Sequence, residues 1–179
     1  MRIAITVVAV LVAFMFVSDA VAADNKYVGT KTCAMCHKAK DKGEAFTIWQ
    51  KSAHAGAYKT LASEQSAKIA KEKGLTKPAS ESPECLKCHV TGGGVATNVD
   101  KTFDMKEGVT CEACHGAASG FKTTHAKKEN TAKAVEAGLI TGDAAKKTCE
   151  TCHNKQSPTF KGFKYDEYWA KIAHMLPKK

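Results

Sequence analysis

Apolar positions in this 179-residue chain form one continuous run and then several periodic ones. Ile3 to Val17 is almost wholly apolar and follows a single positive residue, Arg2. The run is short for a membrane span and leads to Ala20-Val21-Ala22, small residues of the kind a signal peptidase accepts. It predicts an export signal over residues 1–22, cleaved near Ala22, and a mature chain of one domain, 23–179. Beyond it the period becomes helical. Glu44 to Leu61 places Phe46, Trp49, Ala53 and Ala57 at helical spacing. Ser63 to Lys73 reads as a charged helix stopped by Gly74. Ala132 to Ile140 predicts another. Thr141 or Asp143 can cap one that runs towards Cys149. Asp166 to Leu176 places Trp169, Ile172, Ala173 and Leu176 on one face, and Pro177 ends it. Thr76 to Glu84, with Pro78 and Pro83, reads as a loop, and Gly92-Gly93-Gly94 as a flexible turn. Val95 to Phe103 is either a short strand pair or an irregular loop. The glycines make no phosphate loop, because neither GxGxxG nor GK[ST] follows. The class is mainly α with long loops.

The cysteines change this picture. All eight fall in four copies of Cys-X-X-Cys-His: Cys33 and Cys36 with His37, Cys85 and Cys88 with His89, Cys111 and Cys114 with His115, Cys149 and Cys152 with His153. First cysteines are 52, 26 and 38 residues apart, so this is no repeat array of fixed period. The pentapeptide is the attachment signature of c-type haem. Two thiols add across the haem vinyl groups and the adjacent histidine becomes an axial ligand. A disulfide framework or structural zinc would use the cysteines too, but neither needs a histidine directly after every second cysteine. Four covalently attached haem c groups are expected, which also places the mature chain outside the cytoplasm, in the periplasm.

Size and charge then constrain the interior and the partners. The mature chain has about 39 residues per motif, too few to wrap each haem in its own apolar pocket. Aromatics are 7% of the residues, so the haems themselves are expected to form the core, close enough for fast electron transfer. The formal charge is +9. Each ferric haem adds about −1, leaving about +5 and favouring an acidic redox partner. Nucleic acid is not expected, since no basic stripe with interleaved aromatics appears.

Four haems offer eight axial positions, and the chain has seven histidines. After the motif histidines, His54, His125 and His174 remain. Each has small neighbours that let a flat macrocycle approach: Ser52-Ala-His54-Ala-Gly-Ala57, Thr123-Thr124-His125-Ala126, and Ala170 with Ala173 beside His174. All three are candidate distal ligands. Met35 lies inside its own motif. Met105 and Met175 read as packing residues. One haem is therefore expected to be five-coordinate, with a face open to a small ligand such as nitric oxide or to a partner's residue.

Several segments together resemble the tetrahaem cytochrome c-554 family. They are Tyr27-Val-Gly-Thr-Lys-Thr-Cys33, Trp49-Gln-Lys-Ser-Ala-His54, and Cys88-His-Val90 with its following glycines. They continue with Gly108-Val-Thr-Cys111-Glu-Ala-Cys-His-Gly116, His125 shortly after, and Phe163-Lys-Tyr-Asp-Glu167 ahead of His174. The resemblance covers most of the mature chain. It implies a compact α fold with haems in closely stacked pairs, His54, His125 and His174 as distal ligands, and a five-coordinate second haem on Cys85, Cys88 and His89. It pairs His125 with the first haem and leaves His54 and His174 to the third and fourth in either order. Its best-known member accepts electrons from hydroxylamine oxidoreductase, and nitric oxide reduction has been proposed at its open haem. Asn154 to Gly162 is shorter here than in that member, near the open haem.

The expected function is electron carriage between redox proteins, with a hydroxylamine oxidoreductase-like donor or a membrane quinone-linked cytochrome as candidate partners and no membrane span after cleavage. The competing readings are nitric oxide reduction at the second haem, for which Asp100, Lys101 and Asp104 are the nearby polar residues, and a subunit of a multihaem filament or complex. Solvated loop residues are the plainer account of those three.

Overall fold

A computed structural model describes residues 25–94 and 96–177. The expected signal segment, residues 1–22, lies outside them, as does Val95. Ten short α-helices appear among the described residues: α1 Thr30–His37, α2 Ala45–Gln50, α3 Ala57–Thr60, α4 Glu64–Glu72, α5 Pro83–His89, α6 Glu112–His115, α7 Thr131–Glu136, α8 Gly142–Lys147, α9 Cys149–Cys152 and α10 Tyr165–Trp169. Turns of 3-10 type connect many of them. One isolated bridge, Tyr27 with Val99, is the strand-like pairing among the described residues, so residues 96–103 of the stretch expected as strands or loop are loop. No helix among the described residues is long and apolar enough to cross a membrane.

Local chemistry explains where helices start and stop. Ser63 caps α4 by accepting from Ser66 N at 3.2 Å, as a short hydroxyl at that position does. Pro83 opens α5, where its missing N–H costs nothing. The helix expected over Glu44–Leu61 is instead two, α2 and α3, separated by turns at Lys51–Gly56. Ser52 bonds Trp49 O through both its amide and its hydroxyl, at 2.8 and 2.7 Å. His54 O accepts from Val109 N, 55 positions on, at 3.1 Å. The same carbonyl accepts from Ala57 N at 3.2 Å, a turn contact, so it serves a turn and a tertiary bond instead of the i+4 bond of a continuous helix. The last helix is also shorter than its period, ending at Trp169 rather than Leu176. The chain beyond it turns towards Gly43, where an added Cβ would lie 2.7 Å from Met175 O.

The side-chain core is sparse. One cluster holds Leu61, Ala70, Ala79, Leu86 and Val90, flanked by Tyr58, Leu75, Cys85, Phe103 and Met105. The other holds Val28, Ala118, Phe121 and Ala134. The largest wholly buried side chains are Val28, Thr91 and Ser82, with no aromatic among them.

Candidate haem sites

Each Cys-X-X-Cys-His copy sits on or against a short helix: α1, α5, α6 with Cys111 at its cap, and α9 with His153 at its end. Residues i, i+3 and i+4 of a helix share a face. Both sulfurs and the following imidazole therefore project to one side, as attachment of a single porphyrin requires.

The three remaining histidines are each brought to one motif histidine. His125 faces His37 with ring centres 5.9 Å apart and planes at 3°. His54 faces His153 at 6.0 Å and 68°. His174 faces His115 at 5.8 Å and 73°. Imidazole nitrogen binds a first-row metal at ~2.0–2.1 Å, and the ring centre lies about an ångström behind it. Two imidazoles on opposite faces of one iron thus have centres about 6 Å apart. All three pairs match. His89 is the seventh histidine, and among the described residues no other imidazole faces it.

The rings are also in the right tautomer. Nδ1 lies 2.8 Å from Ala57 O in His89, 3.0 Å from Ile140 O in His115, 2.8 Å from Phe121 O in His125 and 2.8 Å from Ile172 O in His174. A carbonyl only accepts, so Nδ1 carries the proton and the Nε2 lone pair is free for a metal. Burial holds His37, His54, His115 and His153 below the ordinary imidazole range, which keeps these rings neutral donors.

Loops bring the distal residues in. His54 lies in the break between α2 and α3, clamped by the irregular segment 108–110 before the third motif. Trp49 Nε1 donates to Val109 O at 2.8 Å. Gly108 has φ +75°, and a Cβ there would lie 2.7 Å from His54 O. His125 is in the 3-10 turn Thr124–Ala126. Gly116, at φ +84°, lets the chain leave the third motif beside Gly138 O, 2.5 Å from where its Cβ would be. His174 follows α10 in irregular chain, not on the expected helix.

Sulfur contacts give the order of the motifs. The Cys33 and Cys111 thiols lie side by side, and that proximity together with burial pushes the Cys111 thiol up. Burial, then the neighbouring Cys152, pushes Cys88 up to about 11. Cys114 lies near Cys149 and Cys152. Cys152 Sγ also lies 3.9 Å from Lys87 O. The first motif thus adjoins the third, the third adjoins the fourth, and the fourth adjoins the second.

Two further features fit a bound prosthetic group. Tyr165 Oη is covered yet has no hydrogen-bond partner among the described residues, and it stands close to Lys146 and Cys149. A carboxylate of a bound porphyrin is an acceptor that would complete it. Lys87 Nζ donates to Gln156 Oε1 at 2.7 Å, which ties the segment Asn154–Gly162 to the second motif. By contrast Asp100 and Asp104 are used locally. Asp100 Oδ1 accepts from Thr102 N at 3.1 Å, a bond that holds its carboxyl below the usual range, and Asp104 Oδ1 accepts from Lys106 N at 2.9 Å. Met105 packs on the second-motif cluster, and Met175 is exposed.

The family described as cytochrome c554 and c-prime matches residues 32–116. Cytochrome c-554 of Nitrosomonas europaea is 31% identical over 160 residues, which is 82% of this chain and 66% of that protein. The chain belongs to the cytochrome c-554 family. It spans just under two thirds of the length of that curated relative. No solved structure matches it. As a c-554 family member it is a c-type cytochrome, with haem bound covalently through cysteine thioethers, and the mainly α class expected of the sequence is the class of the fold.

One residue of the site was not singled out from the sequence. Glu112, between Cys111 and Cys114, is 3% exposed. Its carboxylate accepts from Val28 N at 2.9 and 3.1 Å, Gly29 N at 2.9 Å and Ala118 N at 2.8 Å. Glutamate at a variable motif position carries no signal of its own in one sequence. Its role exists only because the segment before α1 folds over it.

Proposed function

We propose that this chain is a periplasmic tetrahaem electron carrier, with one haem for each motif and the motifs adjoining in the order second, fourth, third, first. Haem iron supplies the one-electron couple. The chain's part is to hold neighbouring groups at short range, because tunnelling falls exponentially with edge-to-edge distance. His37 with His125, His54 with His153 and His115 with His174 would hold the irons of the first, fourth and third haems. The ring pairing carries this reading: six of seven histidines meet two by two at the separation one iron requires. Two imidazoles on one iron favour a low-spin centre that reorganises little on gaining an electron. His89 would hold the second haem from one side, with no facing imidazole among the described residues. Cys36 is the exposed cysteine among the eight, and Lys31, Lys38, Lys40 and Lys42 are exposed around it. That end is the docking face for an acidic redox protein. The candidate partners are a hydroxylamine oxidoreductase-like donor and a membrane quinone-linked cytochrome.

The test is the mass and haem absorbance of the purified protein, followed by reduction with an acidic electron donor. Four haems per chain, and reduction slowed severalfold by Lys→Glu changes at 38, 40 and 42, are expected. Fewer haems, or rates indifferent to those changes and to salt, would contradict the reading.

The unpaired His89 supports a second reading, binding of nitric oxide at the second haem. Nitric oxide added to the ferric or ferrous protein should perturb one haem signal in four. A spectrum that does not respond removes it.

A further inference from the structure

Glu112 does more than hold two segments together. Each variable residue after the first cysteine has a different fate: Ala34 and Leu86 are buried, Glu150 is exposed and Glu112 is a buried carboxylate. Its two oxygens accept bonds from three backbone amides, so it meets donors on both sides and no acceptor for a proton. A neutral side chain would make such a stitch at lower desolvation cost. The same fold contains one: Thr91 Oγ1 and Thr110 Oγ1 are 2.9 Å apart, and Thr110 N donates to Thr91 Oγ1 at 2.7 Å. Glu112 adds a full negative charge that water barely screens.

That charge lies where two attachment sites meet. Glu112 follows Cys111 in the chain. Its carboxylate binds the backbone at Val28 and Gly29, and Cys33 Sγ lies 4.0 Å from Gly29 O. The Cys33 and Cys111 sulfurs are themselves in contact. An anion fixed in low dielectric favours the ferric over the ferrous state of nearby iron, because reduction removes a positive charge it stabilised. We propose that Glu112 is a positioning residue and fixed anion that lowers the reduction potentials of the haems on the first and third motifs, leaving those on the second and fourth untouched. The proposal rests on the four-haem reading above.

Wild-type mass and haem absorbance come first. Fewer than four haems would sink that reading, and this proposal with it. Potentiometric titration of the holoprotein, followed by paramagnetic resonance, then reads each centre. The coplanar pair His37–His125 and the crossed pairs give different low-spin signals. Glu112→Gln should shift two midpoints upward, one coplanar and one crossed, with the other two unmoved. Glu150→Gln, at the same place in the exposed fourth motif, should shift none. Midpoints that all move together, or do not move at all, would overturn the proposal. If Glu112→Gln does not mature, Glu112→Asp decides. Its carboxylate is drawn back towards α6 and away from Val28, so the first-motif midpoint rises while the third does not. Two unmoved midpoints there would equally overturn the proposal.

Discussion

Two regions of the molecule solve the problem of a small interior in opposite ways. Around the second motif the polypeptide builds its own core: Leu86 and Val90 of α5 and its end pack with Leu61, Ala70 and Ala79. There His89 has a carbonyl behind it and, among the described residues, no imidazole in front. Around the first and third motifs the side-chain core is thinner, and four histidines gather instead as two facing pairs. Where imidazoles face one another, the loops that carry them stand beside a smaller apolar cluster. Where none is supplied, aliphatic packing does it. The proposed open haem therefore sits in the better-packed part of the protein, not in a loose one.

The comparison breaks most visibly at the distal ligands. Replacing His54, His125 or His174 by Gly should each turn one low-spin haem high-spin, raising the high-spin share from one in four to two in four. Magnetic circular dichroism or paramagnetic resonance of the ferric protein reads this, and an unchanged share would remove that residue from the ligand set. The packed region answers in stability rather than spectrum. Leu86→Ala, at a site 4% exposed, should cost about 2–5 kcal/mol in denaturant unfolding while three low-spin signals persist. Gly108→Ala sits between the two behaviours. Its backbone, at φ +75° and ψ −133°, is one that glycine adopts far more readily than other residues and costs about 1–3 kcal/mol for a side chain, and the new Cβ pushes on His54 O. The fourth-motif low-spin signal should broaden or fall, and the other two should stay. The smallest effect is expected at Ser63→Ala, the exposed cap of α4, with about 1 kcal/mol lost and no spectral change. A spectral change there would show that the second-motif region and the paired histidines are mechanically coupled.

What could be read from the sequence follows from what is local. The four pentapeptides fix helical faces by spacing alone, and the supply of three further histidines follows from a count. Small residues about His54 and His174 marked them as approachable. Their partners were left open because they depend on contacts far apart in the chain: His54 with His153, and His174 with His115. The helix lengths misled for the same reason. Apolar period carried Glu44–Leu61 and Asp166–Leu176 as continuous helices, but the bond from Val109 to His54 O and the seat of Met175 against Gly43 interrupt both. Glu112 was invisible because its ligands are backbone amides of Val28, Gly29 and Ala118, which no side-chain pattern records.

Quantitative paramagnetic resonance on the fully oxidised holoprotein tests the central claim most directly. Four irons per chain are expected, divided as three low-spin and one high-spin, with one low-spin signal typical of coplanar imidazoles and two of crossed ones. Four low-spin irons, or fewer than four irons, would contradict it.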